Sequence, residues 1–322
     1  MSRHWQPTAP IENLKMRARI LQQVRAFFLE RGVLEVDTPS MSHAGLSEPN
    51  IESFQVTNPD NPLYLHTSPE FPMKRLLAAG SGSIYQIAKV YRQGESGRFH
   101  NPEFTLLEWY REGWDYRALM DEIAELITAI IGYERLEQAP EWLSYCEAFL
   151  RYLAINPLTA STDELARCAV EQGIELYSEG EGMERSGWLD LLFAEKIQPH
   201  LGRGRISFIY DYPAEQASLA RLKPEDSSLA ERFELFIEGV ELGNGFGELT
   251  DASEQRLRFK HELEIRNVRG AHLPPLDERF LAALEHGLPE CSGVAIGIDR
   301  LLMVVLDADS IDEVIAFPIE RS

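Results

Sequence analysis

The stretch YQIAKVYRQGESGRFHNPEFTLLEWYR, residues 85–111, decides how the rest of the chain is read. Tyr85 to Tyr91 is rich in β-branched and aromatic residues. Its apolar positions roughly alternate with Gln86 and Lys89, which predicts a strand. Arg92 ends that strand, and Gly94 and Gly97 predict a turn. Pro102 favours a loop before a second strand from about Phe104 to Tyr110. The result is a long-looped hairpin whose rim carries Arg92, Glu95, Arg98, His100 and Asn101. An arginine at a strand end can fork onto a phosphate or carboxylate. His100 and Asn101 add donors for phosphate oxygens or a base edge, and Phe104 offers a face on which a purine can stack. Read alone, the loop fits a solvated polar turn equally well.

The chain has 322 residues, 44% hydrophobic and 26% charged, enough for one large domain or two small ones. Its 31 Lys and Arg against 52 Asp and Glu give a formal net charge of −21. That balance opposes unassisted binding to a phosphate backbone, which needs a basic footprint. Cys146, Cys168 and Cys291 are few, odd in number and without CxxC spacing, which predicts reduced thiols in a cytoplasmic protein. The N-terminal MSRHWQPTAP lacks an apolar signal core, and no segment reaches the apolar length of a membrane span.

Residues 12–31 predict an amphipathic helix with Leu14, Ala18, Leu21, Val24 and Phe28 on its apolar face and Gly32 as its stop. A short strand, Val33 to Val36, leads to Thr38-Pro39. After a Pro-, Asn- and Ser-rich passage, Ser47 to Pro62, Leu63–Leu65 reads as a strand, Ser68-Pro69-Glu70 as a turn and Phe71 to Ala79 as a helix. Glu70 is either a helix N-terminal charge favoured by the dipole or a carboxylate aimed into a pocket to bind an amino group. Tyr116 to Ile131 predicts a helix. Residues 135–205 read as a helical region, with Ser161 and Glu164 as a capping box and an apolar helix from Leu189 to Ile197.

Strands resume at Ile206 to Tyr210 and in ERFELFIEGVELGNGFGELTD, residues 231–251, with a turn at Gly239. Gly243, Gly245 and Gly247 let the backbone approach a ligand. The hairpin brings Glu234, Glu241 and Glu248 to one region, and converging carboxylates repel unless a cation joins them. Each alone is more simply a solvated glutamate; as a set, their oxygens suit Mg²⁺. Helices are predicted from about Ser253 to Val268 and from Leu276 to Glu285. In SGVAIGIDRLLMVVL, residues 292–306, a strand passes through Gly297 into a helix at about Asp299, a start suited to ribose or phosphate beside Arg300.

HNPEFTLLEWY, residues 100–110, closely resembles motif 2 of the class II aminoacyl-tRNA synthetases, lysyl branch. The helix–strand–Thr38-Pro39 unit resembles motif 1, which builds the homodimer interface, and Gly297-Ile298-Asp299-Arg300 resembles motif 3. ELGNGFGEL and the terminal AFPIERS are also similar to the lysyl branch. The resemblance implies an α+β class II catalytic fold, a mainly antiparallel sheet flanked by helices. It implies one catalytic domain over residues 1–322 with 135–205 as a helical insertion, a homodimer, and ATP used with Mg²⁺. Arg92 and Arg300 would be the catalytic pair: Arg92 on the substrate carboxylate and α-phosphate, Arg300 with His100 on the other phosphates. Asn101 and Phe104 would hold adenine, and Gln93, Gly94, Glu95, Glu241, Leu242 and Gly297 complete the implied ATP site. For the amino acid, Glu108 and Tyr110 would meet the side-chain ammonium and Glu70 and Glu248 the other amino group. Ser68, Pro69, Asn244 and Ala295 line the same pocket, and Glu234 and Glu241 would carry Mg²⁺.

A lysyl-tRNA synthetase has an anticodon-binding domain before motif 1, and only about a dozen residues stand there in this sequence. The chain therefore resembles the synthetase-like paralogues that attach β-lysine to a lysine of elongation factor P. Those paralogues imply that protein and β-lysine as partners, and no tRNA. Ala295 stands where the lysyl enzymes have glycine and Ser68 where they have alanine. An extra carbon in a packed pocket excludes substrates by overlap, so Ala295 is expected to favour a β-amino acid. Gly94 stands where a motif 2 glutamate is usual, which moves adenine recognition to Glu95 or to backbone atoms. A truncated enzyme charging tRNA and a non-catalytic ATP-binding paralogue are the rival readings.

Overall fold

The computed structural model describes residues 5–58, 62–132, 135–175 and 183–322. The start of the N-terminal stretch, residues 59–61 of the Pro-, Asn- and Ser-rich passage, and residues 133–134 and 176–182 of the expected helical region lie outside them. The chain divides into two compact units, one running up to Trp114 and resuming over Thr250–Ser322, the other Asp115–Leu249.

The first unit opens with α1, Ile11–Glu30, and Gly32 follows its end at φ +65°, a conformation that stops the helix. Its buried stripe is Ile20, Val24, Phe27 and Phe28. Of the five expected positions Val24 and Phe28 are inside, whereas Ala18 is exposed and Leu14 and Leu21 are half-buried. The difference comes from what the helix rests on: Phe28 stacks on Tyr85 at 4.4 Å and meets Trp109 edge-on at 5.3 Å. The short strands β1 (Leu34–Glu35), β2 (Met41–Ser42), β3 (Gln55–Val56) and β4 (Leu63–Leu65) follow, then α2 (Glu70–Ala78), β5 (Ile84–Tyr91) and β6 (Glu103–Glu112). β4 lies between β2 and β3 in a small antiparallel sheet. β1 runs parallel to β5, and β5 pairs antiparallel with β6.

The second unit begins with α3, Tyr116–Ile131, whose first turn is capped by the Asp115 carboxylate accepting from the Ala118 amide. The expected helical region contains α4 (Tyr145–Leu153), α5 (Thr162–Glu171) and α6 (Arg185–Leu192), but it also contributes a strand, β7 (Glu141–Ser144). Ser161 and Glu164 form the expected capping box on α5, and Ser144 and Glu147 form another on α4. The helix predicted to run to Ile197 changes at Phe193 to a π-helical turn. β8 (Ser207–Pro213), β9 (Leu222–Lys223), β10 (Asp226–Ile237) and β11 (Val240–Gly247) complete the unit. β10 is antiparallel to β8, β9 and β11, while β7 runs parallel to β8. Glu238 and Gly239, both at positive φ, form the two-residue turn between β10 and β11, the turn whose twist matches a hairpin. Phe149, Phe193, Ile209 and Phe236 lie in its core.

The chain then returns to the first unit with α7 (Ala252–Val268), α8 (Glu278–Gly287), β12 (Cys291–Gly297) and α9 (Ile298–Leu306). β12 pairs antiparallel with β6, so this unit's larger sheet runs β1-β5-β6-β12. Phe71 of α2 stacks on Phe280 of α8 at 4.5 Å, which packs the two helices together.

Candidate active site

Register decides which side chains of β6 share a face. Glu108 is opposite both Gln86 on β5 and Ala295 on β12, and Leu106 is opposite Ala88 and Gly297. Side chains alternate along a strand, so Phe104, Leu106, Glu108 and Tyr110 project to one face, and Thr105, Leu107 and Trp109 to the other. The second face receives α1, as the Phe28 contact with Trp109 shows. The first is the face on which the expected site residues of this unit gather.

Glu108 lies at the centre of that face, 2% exposed. Its Oε2 accepts a hydrogen bond from Ser68 Oγ at 2.7 Å and its Oε1 accepts one from Tyr110 OH at 2.7 Å. Ser68 Oγ also accepts from the Glu70 amide at 3.0 Å, which fixes the turn at Pro69 into α2. Burial, and then the charge of Glu70, push the Glu108 carboxyl up to about 8. Glu70 itself is 2.6 Å from Lys74 Nζ, one helical turn on, and Lys74 is 1% exposed. The pocket therefore holds two carboxyl groups and one internal ammonium. Lys74 was not anticipated, although its spacing from Glu70, four residues on one helix, was the available signal. The two positions where the sequence departs from the lysyl pattern, Ser68 and Ala295, both adjoin Glu108: one bonds to it, the other is its cross-strand neighbour.

Arg92 leaves β5 with its guanidinium 5.0 Å from the centroid of the Phe104 ring and 3.3 Å from Glu95 Oε1. The Gln93 amide donates to the Glu52 carbonyl at 2.8 Å. Gly94 follows at φ +83°, a conformation that a side chain there would strain. At the other side of the loop, His100 Nε2 is 2.7 Å from Arg300 Nη2, at the start of α9. Burial, then Arg300, lower the His100 pKa, so its imidazole is held neutral beside the guanidinium. Asn101 is committed at both ends: its amide nitrogen donates to the Glu103 carbonyl at 2.6 Å and its oxygen accepts from the Ile319 amide at 3.0 Å. Arg98 reaches the Asp309 carbonyl at 2.5 Å, so the C-terminal segment braces the loop. A cavity of about 190 Å³ lies between them, lined in part by Arg98, His100, Asn101, Asp312 and Glu320.

In the second unit the β10–β11 register puts Glu234 opposite Asn244 and Glu241 opposite Phe236, with Leu242 as the extra residue at a bulge. Glu234 Oε1 is 2.6 Å from Arg232 Nη2, so its charge is already met inside this unit. Asn244 Oδ1 is buried with no hydrogen-bond partner among the described residues, and Glu248 is buried beside its bridge to Ala220. Gly247 has a reason other than ligand approach: a Cβ built there would meet the side chain of Glu231. Among the described residues no group of three or more His, Cys, Asp or Glu side chains is placed to hold a metal ion.

A buried carboxyl pocket, an arginine over an aromatic ring on one strand pair and a second arginine at a strand-to-helix junction accord with the class II synthetase resemblance of the sequence. The sequence pattern of the tRNA synthetases class II (D, K and N) matches residues 6–321, and the chain belongs to that family. It is 49% identical over 325 residues, 99% of this chain and 98% of the relative, to the elongation factor P–(R)-β-lysine ligase of Edwardsiella ictaluri (strain 93-146). It is 49% identical over 324 residues to the ligase of that name from Proteus mirabilis (strain HI4320), again 99% of this chain and 98% of the relative. Against that from Yersinia enterocolitica the figure is 48% over 324 residues, with the same coverage.

Proposed function

We propose that this chain is an ATP-dependent ligase that activates (R)-β-lysine as an adenylate and transfers the acyl group to a lysine ε-amine of elongation factor P. The observation that carries the reading is Glu108: a fully buried carboxylate, bonded to Ser68 and Tyr110, is a receptor for an ammonium group. The near-full-length identity to ligases of that name supplies substrate and acceptor.

In this reading the substrate carboxylate attacks the α-phosphorus of ATP and pyrophosphate leaves. The lysine ε-amine of the acceptor then attacks the mixed anhydride, forming an amide and releasing AMP. The protein positions reactants and meets developing negative charge. Arg92 holds the carboxylate and α-phosphate, Arg300 with His100 the remaining phosphates, and Phe104 stacks on adenine beside Asn101, which acts through the loop it fixes. Gln93, Glu95 and Gly297 frame the nucleotide with the backbone at Gly94. Glu108 and Tyr110 take one ammonium and Glu70 the other, with Ser68, Pro69 and Ala295 shaping that pocket; the resemblance adds Asn244 and Glu248 as substrate contacts from the second unit.

Mg²⁺ carried with ATP would supply positive charge to offset that of the phosphates. That fits a protein with no three-ligand cluster among its described residues. Glu241 is the carboxylate offered to it, while Glu234 reaches it only by leaving Arg232. A homodimer is part of the proposal, supported by exposed Ile11, Leu29, Leu34 and Met41 on α1, β1 and β2. Three free cysteines accord with a cytoplasmic setting, and no described helix is long and apolar enough to cross a membrane.

The test is intact mass of elongation factor P after incubation with the protein, ATP and (R)-β-lysine. An added β-lysyl mass supports the reading. No mass change, with acid-precipitable counts on tRNA instead, overturns it in favour of a tRNA-charging enzyme.

A further inference from the structure

Behind the site face of the first unit, β6 and β12 part company. Their ladder ends where Leu106 pairs with Gly297, and the chain turns from there into α9. The next amide on that edge of β6, from Thr105, has no strand to donate to. It donates to the carboxylate of Asp299, whose Oδ2 accepts at 2.6 Å. Asp299 is 2% exposed, and a buried carboxylate needs a counter-charge. That charge comes from α1: Arg17 Nη1 reaches Asp299 Oδ1 at 2.5 Å, and its Nη2 donates to Thr105 Oγ1 at 2.6 Å. One planar guanidinium thus grips both partners of the carboxylate–amide bond, a two-pronged contact that a lysine ammonium does not reproduce.

The residues it grips matter because of their neighbours. Thr105 follows Phe104, the ring under Arg92, and Asp299 precedes Arg300, the partner of His100. We infer that Arg17 is a positioning residue for ATP: from the far side of the sheet it fixes the angle between β6 and α9, and so the spacing of Phe104 and Arg92 from Arg300. The inference rests on the reading of Arg92 and Arg300 as the nucleotide-binding pair. The amino-acid pocket lies further along β6, at Glu108 and Tyr110, where β12 is still fully paired. Losing the clasp should therefore raise the ATP requirement and leave the amino-acid requirement unchanged.

The experiment is ATP–pyrophosphate exchange driven by (R)-β-lysine, with each substrate titrated in turn, on full-length wild type, R17K, R17M, the double variant R17M/D299N, and R300A as a control. R17M alone strands the Asp299 charge and risks misfolding. The double variant removes both charges, and its Tm reports whether the fold is recovered. The expected result is a recovered Tm, with KM for ATP raised about tenfold or more and KM for (R)-β-lysine within twofold of wild type, the size of effect that loss of a charged hydrogen bond produces. R17K should retain stability and show the same split. If the double variant recovers both stability and wild-type ATP dependence, or if both KM values rise together, Arg17 only supports the fold and the inference fails. If R300A exchanges like wild type, it is the nucleotide reading that fails.

Discussion

Arg300 Nη2 lies 2.7 Å from His100 Nε2, joining the start of α9 to the loop between β5 and β6. The two residues are 200 positions apart in sequence, and the class II resemblance implies both as phosphate ligands. A guanidinium has donors only, so the imidazole nitrogen facing it must accept, which requires a neutral ring. The lowered pKa of His100, through burial and Arg300, agrees with a neutral ring.

His100 should therefore shape the acid side of the stability profile. The folded ring binds its proton less firmly than the ordinary value of 6.5, so the unfolded chain takes up the extra proton as the medium is acidified. Its contribution is present above pH 6.5 and lost as pH falls through the lowered folded value. Thermal melts from pH 7 to pH 5 should fall less steeply for His100→Gln than for wild type. In exchange assays at pH 7.5 the same variant should need about tenfold more ATP, the effect of losing one hydrogen bond to a charged group. Equal slopes in the melts would dissociate the two residues.

Glu108 titrates in the opposite sense. Its folded carboxyl is pushed from the ordinary 4.5 up to about 8 by burial and by Glu70, opposed by Ser68, Tyr110 and Lys74. Between those values the folded state holds a proton that the unfolded state has lost, so stability falls as pH rises through this window. Glu108→Gln should flatten that fall. The free pocket carries this proton at neutral pH, and an incoming ammonium favours the ionised form. Binding of (R)-β-lysine should therefore release a proton, measured as a dependence of calorimetric enthalpy on the ionisation enthalpy of the buffer. Gln at this position should abolish the proton release and weaken binding by about 10- to 100-fold, the value of a charged hydrogen bond in a buried site.

Ala295 should set the choice between amino-acid isomers. It is the cross-strand neighbour of Glu108, so its methyl group shares the pocket face with the carboxylate. Ala295→Gly removes that methyl and should raise exchange with α-lysine relative to (R)-β-lysine by about tenfold, within the range one carbon confers in a packed pocket. An unchanged ratio would assign the selectivity elsewhere, with Ser68→Ala the next variant to measure.

Much of this arrangement was legible in sequence because it depends on local signals. The hairpin of β5 and β6, α3, and the Ser161–Glu164 cap follow from alternation, helical spacing and capping chemistry, and all are found. Strand β7 was not legible: EWLS is too short to show a period and is made a strand by its parallel pairing with β8. The buried stripe of α1 was only half legible, because Tyr85 and Trp109, not helix periodicity, choose which residues face inward. Arg17 gave no signal at all, since Asp299 is 282 positions away. The face that assembles Phe104, Glu108 and Tyr110 could be read from alternation. That Ser68 and Lys74 reach it could not, because their approach depends on how α2 packs through Phe71 on Phe280.

The glutamates of β10 and β11 should divide into a structural carboxylate, Glu234, and the one proposed for Mg²⁺, Glu241. Glu234 is largely buried and ion-paired to Arg232, whose second nitrogen also donates to the Gln216 carbonyl. Removing Glu234's charge strands a buried guanidinium, a loss of about 3–5 kcal/mol for such pairs. Glu234→Gln should thus lower Tm by many degrees, while any enzyme that remains folded keeps its Mg²⁺ dependence. Glu241 is only partly buried, opposite Phe236 past the Leu242 bulge. Glu241→Gln should lower Tm less than Glu234→Gln does, because the charge it loses is only partly buried, yet raise the Mg²⁺ concentration needed for half-maximal exchange about tenfold or more. Titrating Mg²⁺ at fixed ATP on both variants, beside their melting curves, distinguishes the roles. If Glu234→Gln melts like wild type and shifts the Mg²⁺ midpoint, then the Arg232 pair is dispensable and Glu234 belongs to the cation.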